Sequence, residues 1–186
     1  GTNTLKIWGS LANSGTITTN DNAVWFNGSG NQAISSSAIN SSFSSIYFSG
    51  SGTKSLNTSI RTRGNLQIDS GVTLSPGSIT LTFEDSLSTS HRDFINNGTF
   101  SAGSSSVVFD GHGNINTRVY GSSLTVFNNV TIDALSGVYG VDFFDDTTSR
   151  RAEINGTLTI ESAGFVADEE AGSNGSTNVK DGRPKY

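Results

Sequence analysis

The chain has 186 residues with no cysteine, no methionine and two prolines, and Ser, Gly, Thr and Asn supply 92 of its positions. That composition excludes an ordinary helical domain, because these four residue types are middling or poor helix formers, and it excludes disulfide staples and thiolate metal sites. The net charge is −5 and the eleven Lys and Arg residues are scattered, so there is no basic face for nucleic acid, and no apolar run reaches the length of a membrane span.

Strand signals follow in chain order. Short segments of alternating apolar residues, each closed by Gly, Asn, Asp or Ser, occur at Leu5–Trp8, Thr16–Thr18, Val24–Phe26, Ile46–Phe48, Asn65–Ile68 and Val72–Leu74. The rhythm resumes at Ile79–Phe83, Val107–Phe109, Leu124–Phe127, Val130–Ile132 and Thr157–Ile160. Period-2 alternation between turn residues is the pattern of β structure. A hydrophobic content of 33% is low for one wide core and suits an elongated shape with a thin one.

The chain also repeats itself. At an offset of 83, Asn13–Ile17 aligns with Asn96–Phe100 and Ala23–Asn31 aligns with Ser106–Asn114. Further on, Phe43–Phe48 matches Phe127–Ile132, Gly64–Ser70 matches Gly156–Ser162, and upstream Leu5–Ile7 resembles Leu81–Phe83. The second copy carries an insertion of about eight residues, for which the acidic stretch Asp142–Asp146 is the natural candidate. Two tandem modules, 1–77 and 78–168, are expected, with 169–186 as a polar tail, cap or linker. Strands this short, at about 20 residues per circuit, predict a parallel β-helix (β-solenoid), with a β-sandwich as the competing architecture. Asn residues at the turns are expected to form ladders between coils. End coils would need caps, which places Gly1–Ser10 and the tail from Asp168 at the two ends of the column.

The succession Asn96–Gly103, Val107–Gly113, Thr125–Ile132 and Ile154–Ile160 resembles the repeats of large secreted and cell-surface adhesin-like proteins of the Bacteroidetes type. The resemblance covers both modules, and departs at the Asp142–Asp146 insertion and over the first fifteen residues. It implies a right-handed parallel β-helix, an extracellular location and an adhesive or structural role, and it brings no catalytic residue.

Chemical motifs are sparse. The triplets Gly28-Ser-Gly30, Gly50-Ser-Gly52 and Gly111-His-Gly113 do not continue to a dinucleotide or phosphate-loop pattern and read as turns needing positive φ. Two distant histidines, His91 and His112, offer no triad or multi-histidine metal site. Asp142, Asp145 and Asp146 are a candidate calcium site, since a hard cation takes carboxylate oxygens; the bland alternative is a solvated loop neutralised by Arg150 and Arg151. Asp168–Glu170 is a weaker candidate of the same kind, and Phe143 and Phe144 would anchor the acidic loop to the column. Trp8, Trp25, Tyr47, Tyr120 and Tyr139 could line a sugar-stacking strip or simply pack. The expectation is a non-enzymatic extracellular building block, a stalk, adhesin segment or filament subunit that requires no cofactor and could bind calcium. Its partners would be copies of itself or other surface proteins. The alternative is a polysaccharide-binding or polysaccharide-cleaving β-helix.

Overall fold

The computed structural model describes residues 4–15, 17, 19, 22–36, 42–84, 92–111, 117–134, 141–143, 152–161 and 166–167. Its strands follow one another in short circuits. The first circuit holds β1 (Leu5–Ile7) and β2 (Leu11–Asn13), the second β3 (Ala23–Phe26), β4 (Gln32–Ser36) and β5 (Ser42–Phe43). The third holds β6 (Ser45–Phe48), β7 (Gly52–Leu56) and β8 (Ile60–Thr62), and the fourth β9 (Leu66–Ile68), β10 (Val72–Ser75) and β11 (Thr80–Phe83). Next come β12 (Phe94–Asn96), β13 (Thr99–Phe100) and β14 (Ser106–Gly111), then β15 (Thr117–Tyr120), β16 (Thr125–Phe127) and β17 (Asn129–Ala134). The last described strands are β18 (Val141–Asp142), β19 (Ala152–Ile154), β20 (Leu158–Glu161) and β21 (Val166–Ala167).

Every strand pairs in parallel with the strand one circuit away. Face one runs β1-β3-β6-β9-β12-β15-β18-β21 and face three runs β5-β8-β11-β14-β17-β20. Face two runs β2-β4-β7-β10-β13, and the β16-β19 pair lies against its β13 end. This is the β-solenoid; a sandwich would pack antiparallel sheets. One circuit takes 19 residues from Leu5 to Val24, 22 from Val24 to Ile46 and 20 from Ile46 to Leu66, then lengthens to 28 up to Phe94.

Alternation sends every second side chain into the column. Val24, Ile46, Leu66, Phe94 and Val119 stack in register inside face one, all but sealed from solvent. The later circuits fill the same narrow space with rings: Phe94 lies 5.3 Å from Phe127 and 5.2 Å from Phe100, and Phe109 lies 5.1 Å from Phe83. The two Phe94 pairs meet edge-on and the Phe83–Phe109 pair is tilted, and edge-to-face contact is favourable beyond the area it buries.

The polar composition is used at the corners, where a backbone N–H leaves the strand ladder and needs another acceptor. Short side chains of the preceding circuit supply it. Asn31 Oδ1 accepts from Thr53 N at 2.9 Å, Asn65 Oδ1 from Asp93 N at 3.0 Å, Asn97 Oδ1 from Ser122 N at 3.0 Å and Asn129 Oδ1 from Thr157 N at 2.9 Å. Ser10, Ser45 and Ser59 hydroxyls do the same for Ala33, Asn65 and Thr80. The expected Asn ladders are therefore bridges from side chain to backbone between circuits.

The glycine triplets differ from a uniform set of positive-φ turns. Gly50 and Gly52 have φ of 81° and 77°, whereas Gly28 is required by close approach, since a Cβ there would meet Trp8 O and the Gln32 side chain. Gly111 ends β14 rather than sitting in a turn, and His112 and Gly113 lie outside the described residues.

Mapped onto the column, the internal repeat does not span a whole number of circuits. β1 matches β11, β3 matches β14, β6 matches β17 and β9 matches β20, so each face-one strand recurs on face three. β2 on face two matches β12 on face one. The offset is three circuits and two faces, and equivalent residues of the two copies are rotated by one third of a turn about the axis. Local contacts recur with the sequence. Gly15 N donates to Asn13 Oδ1 at 3.1 Å and Gly98 N to Asn96 Oδ1 at 3.2 Å; Asn65 N donates to Ser45 Oγ as Thr157 N donates to Asn129 Oδ1.

Candidate functional site

Of the candidate calcium ligands, Asp142 ends β18, its backbone in register with Arg118 on one side and Ala167 on the other. Asp145, Asp146, Phe144, Arg150 and Arg151 lie outside the described residues, as do His91, Tyr139 and Asp168–Glu170. Phe143 does anchor this segment: it is buried, 6.2 Å from Phe109 and 6.5 Å from Phe127. Among the described residues no group of three His, Cys, Asp or Glu side chains is gathered as a metal site. Asp110, Asp133 and Glu161 stand in strand register on face three. Sequence reading missed this acidic row because its members lie 23 and 28 residues apart.

The aromatic residues meet on the outside of face one. Strand register places Lys6, Trp25, Tyr47, Gln67 and Ile95 in one outward row. Trp25 and Tyr47 stack at 4.3 Å with 14° between planes, and the Lys6 ammonium sits 5.9 Å from the Trp25 ring centre. Trp25 thus has a ring on one side and a cation on the other, so its edge rather than its face is turned outward. Both faces of Trp25 and one face of Tyr47 are thus used within the row. Tyr120 is held apart, its ring 5.2 Å from the Arg118 guanidinium and its hydroxyl 3.3 Å from Asp93 Oδ2. Arg118 grips the buried Asp93 carboxylate with two donors, at 2.9 and 2.6 Å. Trp8 is 66% exposed, just beyond β1.

One buried cation stands out. Lys54 points into the column from β7 and is fully buried, its Nζ donating to Gly28 O at 2.8 Å, Ser51 O at 2.9 Å and Gly30 O at 3.0 Å. Its register neighbour Gln32, also buried, donates to Ile7 O and Gly9 O and accepts from Gly28 N. Together these side chains sew successive circuits at one corner. Burial lowers the Lys54 pKa from the usual 10.5. The unfolded chain therefore holds this proton to higher pH, and the residue's contribution to stability grows as pH rises through the alkaline window that ends near 10.5. Lys54→Met is expected to lower stability by about 1–3 kcal/mol near neutral pH, because carbonyls are left without a donor. The gap to the wild type should widen through that alkaline window; urea unfolding at several pH values checks both.

Among the described residues, the two ends of the column carry most of the exposed large apolar side chains. Leu5 is 52% exposed at the β1 end, and Leu158 and Ile160 are 43% and 50% exposed at the β20 end. Register gives these positions the inward orientation: Leu5 pairs with buried Val24, Leu158 with buried Val130 and Ile160 with buried Ile132. They are core positions with no neighbouring circuit beyond them among the described residues.

Comparison with protein-family models, with curated proteins and with solved structures finds no match for this chain. Among the described residues no helix is long and apolar enough to cross a membrane.

Proposed function

We propose that this chain is a non-catalytic building block of a secreted or cell-surface protein, a rigid solenoid that serves as a stalk or adhesin segment and lengthens by joining end to end with copies of itself. The observation that carries the reading is the state of the two ends. Inward-facing Leu5, Leu158 and Ile160 are exposed, and β1 and β20 close their sheets with one edge unpaired among the described residues. Strand edges of this kind template pairing with another chain, and a head-to-tail contact that does not close generates a filament. Extracellular placement is supported by the lysine-poor composition rich in Ser, Thr, Asn and Gly and by the resemblance to secreted adhesin-like repeats.

Negative-stain electron microscopy over a concentration series, with calcium and with chelator, tests the proposal. Rods or filaments that lengthen with concentration are expected. Shortening on chelation would assign the Asp142, Asp145 and Asp146 segment to calcium. Discrete particles of one length at every concentration would overturn self-assembly and leave a spacer within a larger protein.

A further inference from the structure

The column contains a worked example of the joint between one repeat copy and the next, because the second copy begins at β11 and rests on strands of the first. There β11 pairs with β8, with Leu81 opposite Ile60, Thr82 opposite Arg61 and Phe83 opposite Thr62. On the neighbouring face β12 pairs with β9, with Phe94 opposite Leu66 and Asn96 opposite Ile68. Advancing these pairs by one repeat gives the joint that a following copy would make. Leu81–Phe83 corresponds to Leu5–Ile7, and Ile60–Thr62, four residues before Gly64, corresponds to Ala152–Ile154, four residues before Gly156.

We infer that copies of this chain join in one register, the edge of β1 that is unpaired among the described residues of one copy pairing in parallel with the edge of β19 that is likewise unpaired in the copy before it, with Leu5 opposite Ala152, Lys6 opposite Glu153 and Ile7 opposite Ile154. This rests on the self-assembly reading above and specifies its interface.

Four observations agree with the register, and the first two, parity and charge, are independent of the alignment that suggested it. Parity agrees: Leu5 and Ile7 share the inward orientation of Val24 and Phe26, and Ala152 and Ile154 that of Thr125 and Phe127, so apolar residues meet inside. Charge agrees: the outward pair is Lys6 with Glu153, both exposed, and opposite charges in direct register are favourable. The exposed ends agree as well, because the same shift brings β2 onto β20, placing Leu11 over Leu158 and Asn13 over Ile160, just as Asn96 already lies over Ile68. Finally, a Cβ on Gly98 would collide with Asp69 O and Val72 O of the circuit beneath, while among the described residues the corresponding Gly15 meets nothing nearer than Asn13 Oδ1 at 3.8 Å. Among the described residues, the space that a circuit beneath Gly15 would take is open.

The geometry of the resulting filament follows. Two repeats of three circuits and two faces advance the column by seven and a third circuits, so each copy is turned one third of a circuit from the last. At the interstrand spacing of about 4.8 Å the rise per copy is about 35 Å, and every third copy presents the same face.

Cysteine pairing tests the register, since the natural chain has no cysteine and neighbouring parallel strands hold Cα atoms within disulfide range. Lys6→Cys and Glu153→Cys proteins, each folded by circular dichroism, are mixed under mild oxidation. The expected result is a disulfide-linked dimer in the mixture, none from either protein alone, and a ladder of oligomers from the double variant. Trp8→Cys mixed with Glu153→Cys, two residues out of register, should couple at least tenfold less. In a second arm, Lys6→Glu or Glu153→Lys alone should raise the concentration for half-assembly about fivefold, and the double exchange should restore it. Assembly without the Lys6–Glu153 crosslink, or with equal coupling through Trp8, would overturn this junction and leave self-assembly standing. Wild-type protein that stays monomeric in sedimentation would remove self-assembly and the junction together.

Discussion

Phe127→Ala is expected to cost about 3–5 kcal/mol, the range for deleting a fully buried ring. Phe127 is 0% exposed and packs edge-on against Phe94, Phe100, Phe109 and Phe143 at 5.3 to 6.5 Å. A thin column has little else at that level: its neighbours come from the circuits directly above and below, and no second layer can collapse into the void. Since a whole domain is held by only about 5–15 kcal/mol, the circuits around β16 should open before the rest of the column, as stacked repeats allow. Urea unfolding followed by both circular dichroism and hydrogen exchange checks this. A loss below about 1 kcal/mol would mean that the aromatic stack does not hold these circuits.

The second large effect separates backbone strain from stacking. Gly50 and Gly71 both have φ of 81°, so alanine is strained to the same degree at either site. Their surroundings differ. A Cβ on Gly71 meets nothing within 4 Å, whereas one on Gly50 would run into Gly28 O and the Gly28 carbonyl carbon of the circuit beneath. Gly71→Ala should therefore cost only the left-handed penalty of about 1–2 kcal/mol. Gly50→Ala should cost about 3 kcal/mol or more, because the clash is with backbone that is itself bonded and cannot turn aside. Denaturant midpoints of the two variants give the comparison directly, and equal losses would contradict the close stacking of these circuits.

Strands whose inward positions are Val, Ile, Leu or Phe could be recognised from alternation alone, as at β3, β6, β9, β10, β14 and β17. Among those that escaped, β4, β7, β8 and β15 place polar side chains inside: Gln32, Lys54, Thr62 and Thr117 are all buried, while β5, β13, β18 and β21 are two residues long, too short to show an alternation. Gln32 and Lys54 bond to main-chain carbonyls mostly more than twenty residues away, partners that no local pattern contains. Phe94–Asn96 was hidden for a similar reason, since Asn96 reads as a turn residue yet is buried and donates to Leu124 O and Thr125 Oγ1 of the next circuit. The tandem repeat was visible in the sequence, but the face on which each copy lies depends on how many residues every corner consumes. Alternation along β3 puts Trp25 and Phe26 on opposite faces, and Phe26 is the buried one. What alternation could not supply was the Trp25–Tyr47 stack, which needs the circuit register of β3 and β6.

Cryo-electron microscopy of the concentrated protein examines the self-joining column most directly, because both the direction of strand stacking and the repeat of the chain are read from the same images. Filaments with a 4.8 Å spacing along their long axis, a rise of about 35 Å per chain and a third of a turn between chains are the predicted result. Discrete particles at all concentrations, or filaments whose strand spacing runs across the axis, would contradict it.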